Sequence, residues 1–144
     1  MSRKRYVLLI LTLVICIGAV VGYKLWNKPF PELSKDALKV TASQLFNDFN
    51  ANENLAQAKY VPRKLDSKTI EVSGAIKDTG HNSDGERYCI LYAGDEMFGV
   101  KCIMDKEYQN DIPKPGDKIV IRGFCTGFNM DVILNRCQQV NRIQ

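Results

Sequence analysis

From Tyr6 to Tyr23 the chain runs YVLLILTLVICIGAVVGY, 18 residues without a charge. As an α-helix this run is about 27 Å long, close to the hydrocarbon thickness of a bilayer. Tyr6 stands at one end and Tyr23 and Trp26 at the other, where amphipathic rings suit membrane interfaces. Arg3, Lys4 and Arg5 precede the run, which favours a cytoplasmic N-terminus; Lys24 and Lys28 follow it and moderate the bias. A cleaved signal peptide has a shorter apolar stretch and a small-x-small exit, for which Val20-Val21-Gly22 is a poor match. A lipoprotein signal needs a small residue before its cysteine, whereas Cys16 follows Ile15 in mid-run. The reading is an uncleaved transmembrane anchor with a basic tip over residues 1–26, touching the membrane through residues 6–26, with Cys16 a packing or lipid-facing residue.

The anchor changes how the charge is read. The chain has 20 Lys and Arg against 16 Asp and Glu, but four of the basic residues lie at or before Lys24 and every acid lies at or after Glu32. The remainder is balanced, 16 against 16, which weakens any reading that depends on neutralising many phosphates.

Residues 27–40, with Pro29, Pro31, Ser34 and mixed charges, read as a tether. Thr41 and Gln44 have capping-box spacing, and Ala42, Leu45, Phe49, Ala56 and Tyr60 recur at helical steps. This predicts one helix over about 41–58, with a possible interruption near Asn50–Asn54, its aromatic stripe packed against the rest of the domain. From Lys68 the period becomes two: Ile70, Val72 and Ile76 alternate with Glu71, Ser73 and Lys77. Thr79–Gly85 reads as a loop, Arg87–Ala93 and Phe98–Met104 as two strands around Gly94–Met97, and Asp105–Asp111 as a short polar helix or turn. A Lys114–Asp117 turn leads into a β-rich run, Lys118–Phe128, and Val132–Val140 is the last strand. The expected fold is all-β with helical additions: the transmembrane helix, then one helix preceding a five-stranded OB-fold barrel, the helix and barrel spanning residues 41–143.

The pieces ASQLFNDFNANENLAQAKY, TIEVSGAI, FGVKC and PGDKIVIRGFCTGFNMDVIL, with Cys137, carry a resemblance. Over roughly residues 41–140 the chain resembles the bacterial tRNA-anticodon-binding-like (tRNA anti-like) OB-fold proteins, whose G-x-C-x-G-x-x-x-D-V-x-L motif falls on Gly123, Cys125, Gly127, Asp131, Val132 and Leu134. The resemblance implies a membrane or lipoprotein anchor, a helix with an Asn-Glu pair and a barrel; the family name records a fold and does not imply tRNA binding. With the cytoplasmic N-terminus favoured by Arg3, Lys4 and Arg5, the expected location is single-pass in the bacterial inner membrane, C-terminal domain extracytoplasmic.

Cys89, Cys102, Cys125 and Cys137 follow the anchor. In an oxidising compartment an even count favours two disulfides. Facing Cys89 to Cys102 also faces Leu91 to Val100 and Ala93 to Phe98 and collects apolar side chains on one face, whereas a shift by two brings Arg87 into that set. Cys125 and Cys137, on consecutive strands, are then the second pair by default. Free buried thiols are the alternative. The spacings, without C-x-x-C and with His81 the single imidazole, suit zinc poorly, so no metal is expected.

The same register puts Tyr88, Ile90 and Tyr92 on one face with Gly99, Lys101 and Ile103, the face on which OB-folds bind ligands. Tyr88, Tyr92 and Lys101 are the candidate binding residues, suited to stacking on a base or a sugar ring; the competing reading is an ordinary barrel exterior. Phe124 and Phe128 read as packing, His81 as solvated, and Asp131 as an acceptor of backbone hydrogen bonds at a strand entry. Neither an enzyme motif nor a cofactor motif is present. The expectation is a non-catalytic, anchored module binding an envelope protein, peptide or glycan; the alternative is a nucleic-acid-binding OB domain tethered to the membrane.

Overall fold

The computed structural model describes residues 3–27, 32–63, 68–110 and 113–143. They fall into two units, Met1–Pro31 and Glu32–Gln144. In the first, helix α1 (Arg3–Trp26) buries none of its side chains, and its apolar residues stand exposed on every side. A helix that is apolar all round needs a non-aqueous surrounding. By length and composition α1 can cross a membrane.

The second unit runs β1 (Leu38–Thr41), α2 (Ala42–Ala51), α3 (Glu53–Tyr60), β2 (Ile70–His81), β3 (Arg87–Tyr92), β4 (Gly99–Met104), a 3-10 turn (Lys106–Tyr108), β5 (Lys118–Asn129) and β6 (Asp131–Ile143). The strands pair in the order β2-β3-β4-β6-β5, and β5 returns to β2, closing a five-stranded barrel. The fold is the expected one, mostly β with helical additions. Closure depends on β2. Its first half, Ile70–Ala75, pairs with β5, and its second half, from Ile76 on, pairs with β3. A bulge between Ile76 and Asp78 bends the strand where it changes partners.

The expected single helix is two. The Thr41 hydroxyl accepts the Gln44 N–H at 3.1 Å and starts α2. Asn52, in extended backbone, ends α2 and caps α3 by accepting the Leu55 N–H at 3.1 Å. The break folds α3 back, so that Tyr60 donates to Asp48 Oδ2 at 2.5 Å and Lys59 donates to the same oxygen at 3.0 Å. Phe49 stacks on Tyr60 (6.1 Å) and on Phe128 of β5 (5.7 Å), while Phe46 meets Phe128 edge-on. The Ala42 methyl lies against Gly74. The aromatic stripe is therefore packing: α2 and α3 close the end of the barrel where β3 finishes and β4 and β6 begin.

Two further boundaries differ. The expected tether ends in β1, a sixth strand outside the barrel and parallel to β2; only Val40 of its four residues is buried, too little for a periodic signal. Pro29 and Pro31 lie outside the described residues, as does Asp111. The loop expected at Thr79 starts only after His81. Asn82 Oδ1 accepts the N–H groups of Asp84 and Glu86, a side-chain closure that leaves room for a longer β2.

The disulfide expectation is corrected. Cys89, Cys102, Cys125 and Cys137 are free, buried thiols. Cys89 does face Cys102 across β3 and β4, but as a pair of thiols. Cys125 faces Leu134, and Cys137 lies beside Met104 of β4. The reason is a bulge at Arg136, which adopts φ 53°. The extra residue returns Cys137 to the interior two places out of the expected step, against Gly123, where an added Cβ would come within 2.8 Å of its sulfur. Neighbouring thiols and burial push Cys89 and Cys102 well above the ordinary thiol range, and burial raises Cys125 to about 11. These groups stay protonated and unreactive in the folded barrel.

Two outcomes follow from this packing. Without reductant, the native protein should resist a thiol reagent at all four barrel cysteines, and all four should react in denaturant; two reactive thiols fewer would restore a bridge. Tyr60→Phe should cost about 1 kcal/mol at neutral pH, the worth of a charge-assisted hydrogen bond discounted for the exposure of Asp48. The Tyr60 hydroxyl and then Lys59 hold the Asp48 carboxyl below its ordinary 3.8. A depressed carboxyl stabilises the fold above its unfolded value and loses that contribution as pH falls through the folded one. Urea midpoints of Tyr60→Phe and wild type should therefore differ at neutral pH and converge in acid.

Candidate ligand face of the barrel

Strands β3 and β4 hold the register read from the sequence. Tyr88 faces Ile103, Ile90 faces Lys101 and Tyr92 faces Gly99 on the outside, while Cys89, Leu91, Val100 and Cys102 are buried inside. Period-two alternation alone places Tyr88, Tyr92 and Lys101 on one surface. The structure then separates them. Lys101 Nζ sits 4.2 Å from the Tyr88 ring centroid, a cation–π contact on the diagonal of the strand pair. The same phenol reaches across to β2, where a Cβ on Gly80 would lie 2.6 Å from its hydroxyl. Tyr88 is thus engaged within the protein, one ring face by a cation, and is not a bare stacking platform.

Tyr92, at the other end of the strand, has no such partner among the described residues and is 48% exposed. Opposite it, Gly99 lies so close to the Leu91 carbonyl that no Cβ fits. The Gly99 N–H donates to Asp131 Oδ1 at 2.8 Å, tying the start of β4 to the start of β6; Asp131 accepts a backbone hydrogen bond as expected. Two loop tips flank this tie. In Gly94–Met97, Asp95 Oδ1 accepts the N–H groups of Met97 (2.7 Å) and Phe98 (2.8 Å), which hold its carboxyl below the usual range, and Lys77 donates to the Asp95 carbonyl. Between β5 and β6 a single residue, Met130, makes the turn with φ 65°. Met97 is 77% exposed and Met130 64%.

Three of the six exposed large apolar side chains among the described residues of the second unit, Tyr92, Met97 and Met130, therefore stand on segments that meet at Gly99 and Asp131. Sequence reasoning found Tyr92 and missed both methionines. The available signal was a methionine in each of two otherwise polar turns, GDEM and NMD, but only the Gly99–Asp131 tie brings the turns together. Phe128 is packing, as read. His81 is exposed, as read, but at the end of β2, where its Nε2 accepts Arg87 Nε–H at 3.3 Å.

Residues 1–139 match the model of the tRNA_anti-like family. No curated protein matches the chain. Among solved structures it is similar to a lipoprotein from Klebsiella pneumoniae subsp. pneumoniae, named as a candidate nucleic acid-binding protein. The TM-score is 0.54 and the identity 17%, over 72% of this chain and 92% of that one. It is also similar to a chain in the structure of yeast Stn1 and Ten1, with a TM-score of 0.44 and 12% identity, over 76% of this chain and 66% of that one. At these identities the first likeness speaks for the fold alone.

The seating of Tyr88 has a direct test. Gly80→Ala should drive the phenol off β2 and shift the Tyr88 ring resonances, while Lys101→Met should change the ring resonances and lower stability by about 0.5–1 kcal/mol. Neither substitution should shift the Tyr92 ring.

Proposed function

Because this chain belongs to the tRNA_anti-like family, we propose that it is a membrane-tethered, non-catalytic OB-fold module that binds a protein or peptide of the bacterial envelope at the Tyr92 end of its β3–β4 face. One observation carries the reading: Tyr92, Met97 and Met130 are exposed around a rigid backbone tie. Unbranched methionines adapt to an irregular partner surface, and a tyrosine supplies a large amphipathic anchor. A non-glycine residue held at positive φ with its side chain in water, as Met130 is, points the same way.

Helix α1 supplies the tether. Arg3, Lys4 and Arg5 support a cytoplasmic N-terminus and hence an extracytoplasmic barrel. The cysteines, free and buried, lend that orientation no support. An alkaline phosphatase reporter fused after Gln144 should be active, and an inactive fusion with an expressed product would place the barrel in the cytoplasm.

A glycan is a weaker fit to the methionine tips than a polypeptide. The nucleic-acid reading has in its favour the name of the Klebsiella lipoprotein and the half-exposed Tyr92. Against it stand the 16-to-16 charge balance after Lys24 and the engagement of Tyr88. A photo-crosslinking side chain placed at Met97 or Met130 of the full chain in cells should capture a discrete envelope protein, and one at Lys118 should not. The proposal is overturned if all three positions capture nothing or the same products, or if oligonucleotides bind below about 1 μM near physiological salt with loss in Tyr92→Ala.

A further inference from the structure

The interior of the barrel ends differently at its two mouths. One is closed by α2, α3 and their aromatic side chains. At the other, the inward-facing series of β3 runs Leu91, Cys89, Arg87, so that a guanidinium follows the last buried thiol. The neighbouring strand places His81 opposite Arg87 and Thr79 opposite Cys89. Thr79, His81 and Arg87 line a cleft of about 230 Å³ with Gly80, Lys114 and prolines 113 and 115. Among the described residues no carboxylate lines it.

Arg87 is held there by an imidazole and a backbone carbonyl. Its Nε donates to His81 Nε2 at 3.3 Å and its Nη1 to the Gln109 carbonyl at 3.0 Å. Gln109 is itself pinned: its Oε1 accepts the Arg87 backbone N–H at 2.7 Å and its Nε2 donates to the Met104 carbonyl at 2.7 Å. The Nη2 side of the guanidinium has no hydrogen-bond partner among the described residues. The other two barrel arginines with described side chains each have a counter-ion, Arg122 with Glu71 at 2.8 Å and Arg136 with Asp105 at 3.4 Å. Among the described residues Arg87 and Lys114 have none. Three carboxylates near them in sequence are turned elsewhere: Glu86 to the Asn82 amide, Asp117 to the Lys114 backbone N–H, Asp78 to the Thr79 N–H.

We propose that this mouth is an oxyanion site that takes a phosphoryl group. A fixed guanidinium with one free edge, a mobile ammonium opposite it and a small polar cleft match a tetrahedral dianion, which arginine binds through paired N–H donors. The cleft is below the range of drug-sized pockets, so it accommodates the phosphate and little of what carries it. The site is separate from the Tyr92 surface and does not depend on the reading given to that surface.

The test uses the full chain in nanodiscs, with inorganic phosphate as probe and ionic strength held constant with chloride. The Arg87 Nε–H and Thr79 amide resonances should shift saturably with phosphate. Arg87→Gln and Lys114→Gln should each weaken binding at least about tenfold, the loss expected when a charge-assisted hydrogen bond goes. Lys114 is exposed in a turn, so its variant reports on binding even where Arg87→Gln perturbs folding. Discs of zwitterionic lipid and discs containing phosphatidate distinguish the source: weakened phosphate binding in the second assigns a lipid headgroup, and unchanged binding assigns a soluble phosphoryl group. Shifts that do not saturate, or equal affinity in wild type and Lys114→Gln, overturn the proposal.

Discussion

The bend in β2 is the constraint on which the second unit rests. One strand of 12 residues supplies two pairings, to β5 before the bulge and to β3 after it, and without both the sheet stays open. Closure removes the free edges that an open sheet would offer to other chains. It also gives alternation a fixed meaning: every odd inward residue of β3 belongs to the barrel interior and every even one to its surface. The burial of Cys89 and Leu91, the display of Tyr88 and Tyr92, and the placing of Arg87 at a mouth are consequences of that one topological fact.

The two mouths then solve the same problem with different chemistry. The five strands wall the barrel, and its two ends are left to other segments. At one end α2 and α3 bring Phe46, Phe49 and Tyr60 over Phe128, and the Asp48 carboxylate holds α3 in place through Tyr60 and Lys59. This is apolar closure with a polar latch on the outside. At the other end the insertion between β4 and β5 contributes, among its described residues, a one-turn 3-10 segment, with Tyr108 packed against the core. What remains is Arg87, braced by Gln109. A buried or half-buried guanidinium without a carboxylate is costly to keep, and two other arginines in the same barrel avoid that cost by pairing.

What was legible in the sequence was what depends on local period. The alternation in RYCILY and in GVKCIM was strong enough to fix the β3–β4 register to the residue. Thr41 announced the start of α2, and the Asn-rich segment near Asn52 announced its break. The second cysteine pairing failed because Arg136 interrupts the period of β6, and a bulge residue that is not glycine leaves no compositional trace. Strand β1 failed because four residues with one buried side chain carry no period at all. The site residues divide the same way. Tyr88, Tyr92 and Lys101 share a face by alternation, but that Tyr88 is engaged, that Met97 and Met130 belong with Tyr92, and that Arg87 is braced by His81 and Gln109 are facts about contacts between segments apart in the chain.

Those contacts decide what kind of surface the β3–β4 face is. Sequence-tolerant binding to single strands draws on several stacking rings, each worth roughly 1–3 kcal/mol, laid along a positive groove. Here one of two tyrosines is committed to Lys101 and Gly80, and the cation that a groove would offer to phosphate is spent on a ring inside the protein. Lys77, on the neighbouring strand, is turned to the Asp95 carbonyl. What the face leaves available is apolar: a tyrosine and two methionine tips, presented by backbone that Asp95 and Asp131 hold still through hydrogen bonds. Fixed backbone under adaptable side chains lowers the entropy lost on association without demanding a partner of one shape. A polypeptide surface, which offers apolar area at variable geometry, meets those terms more closely than a polyanion does.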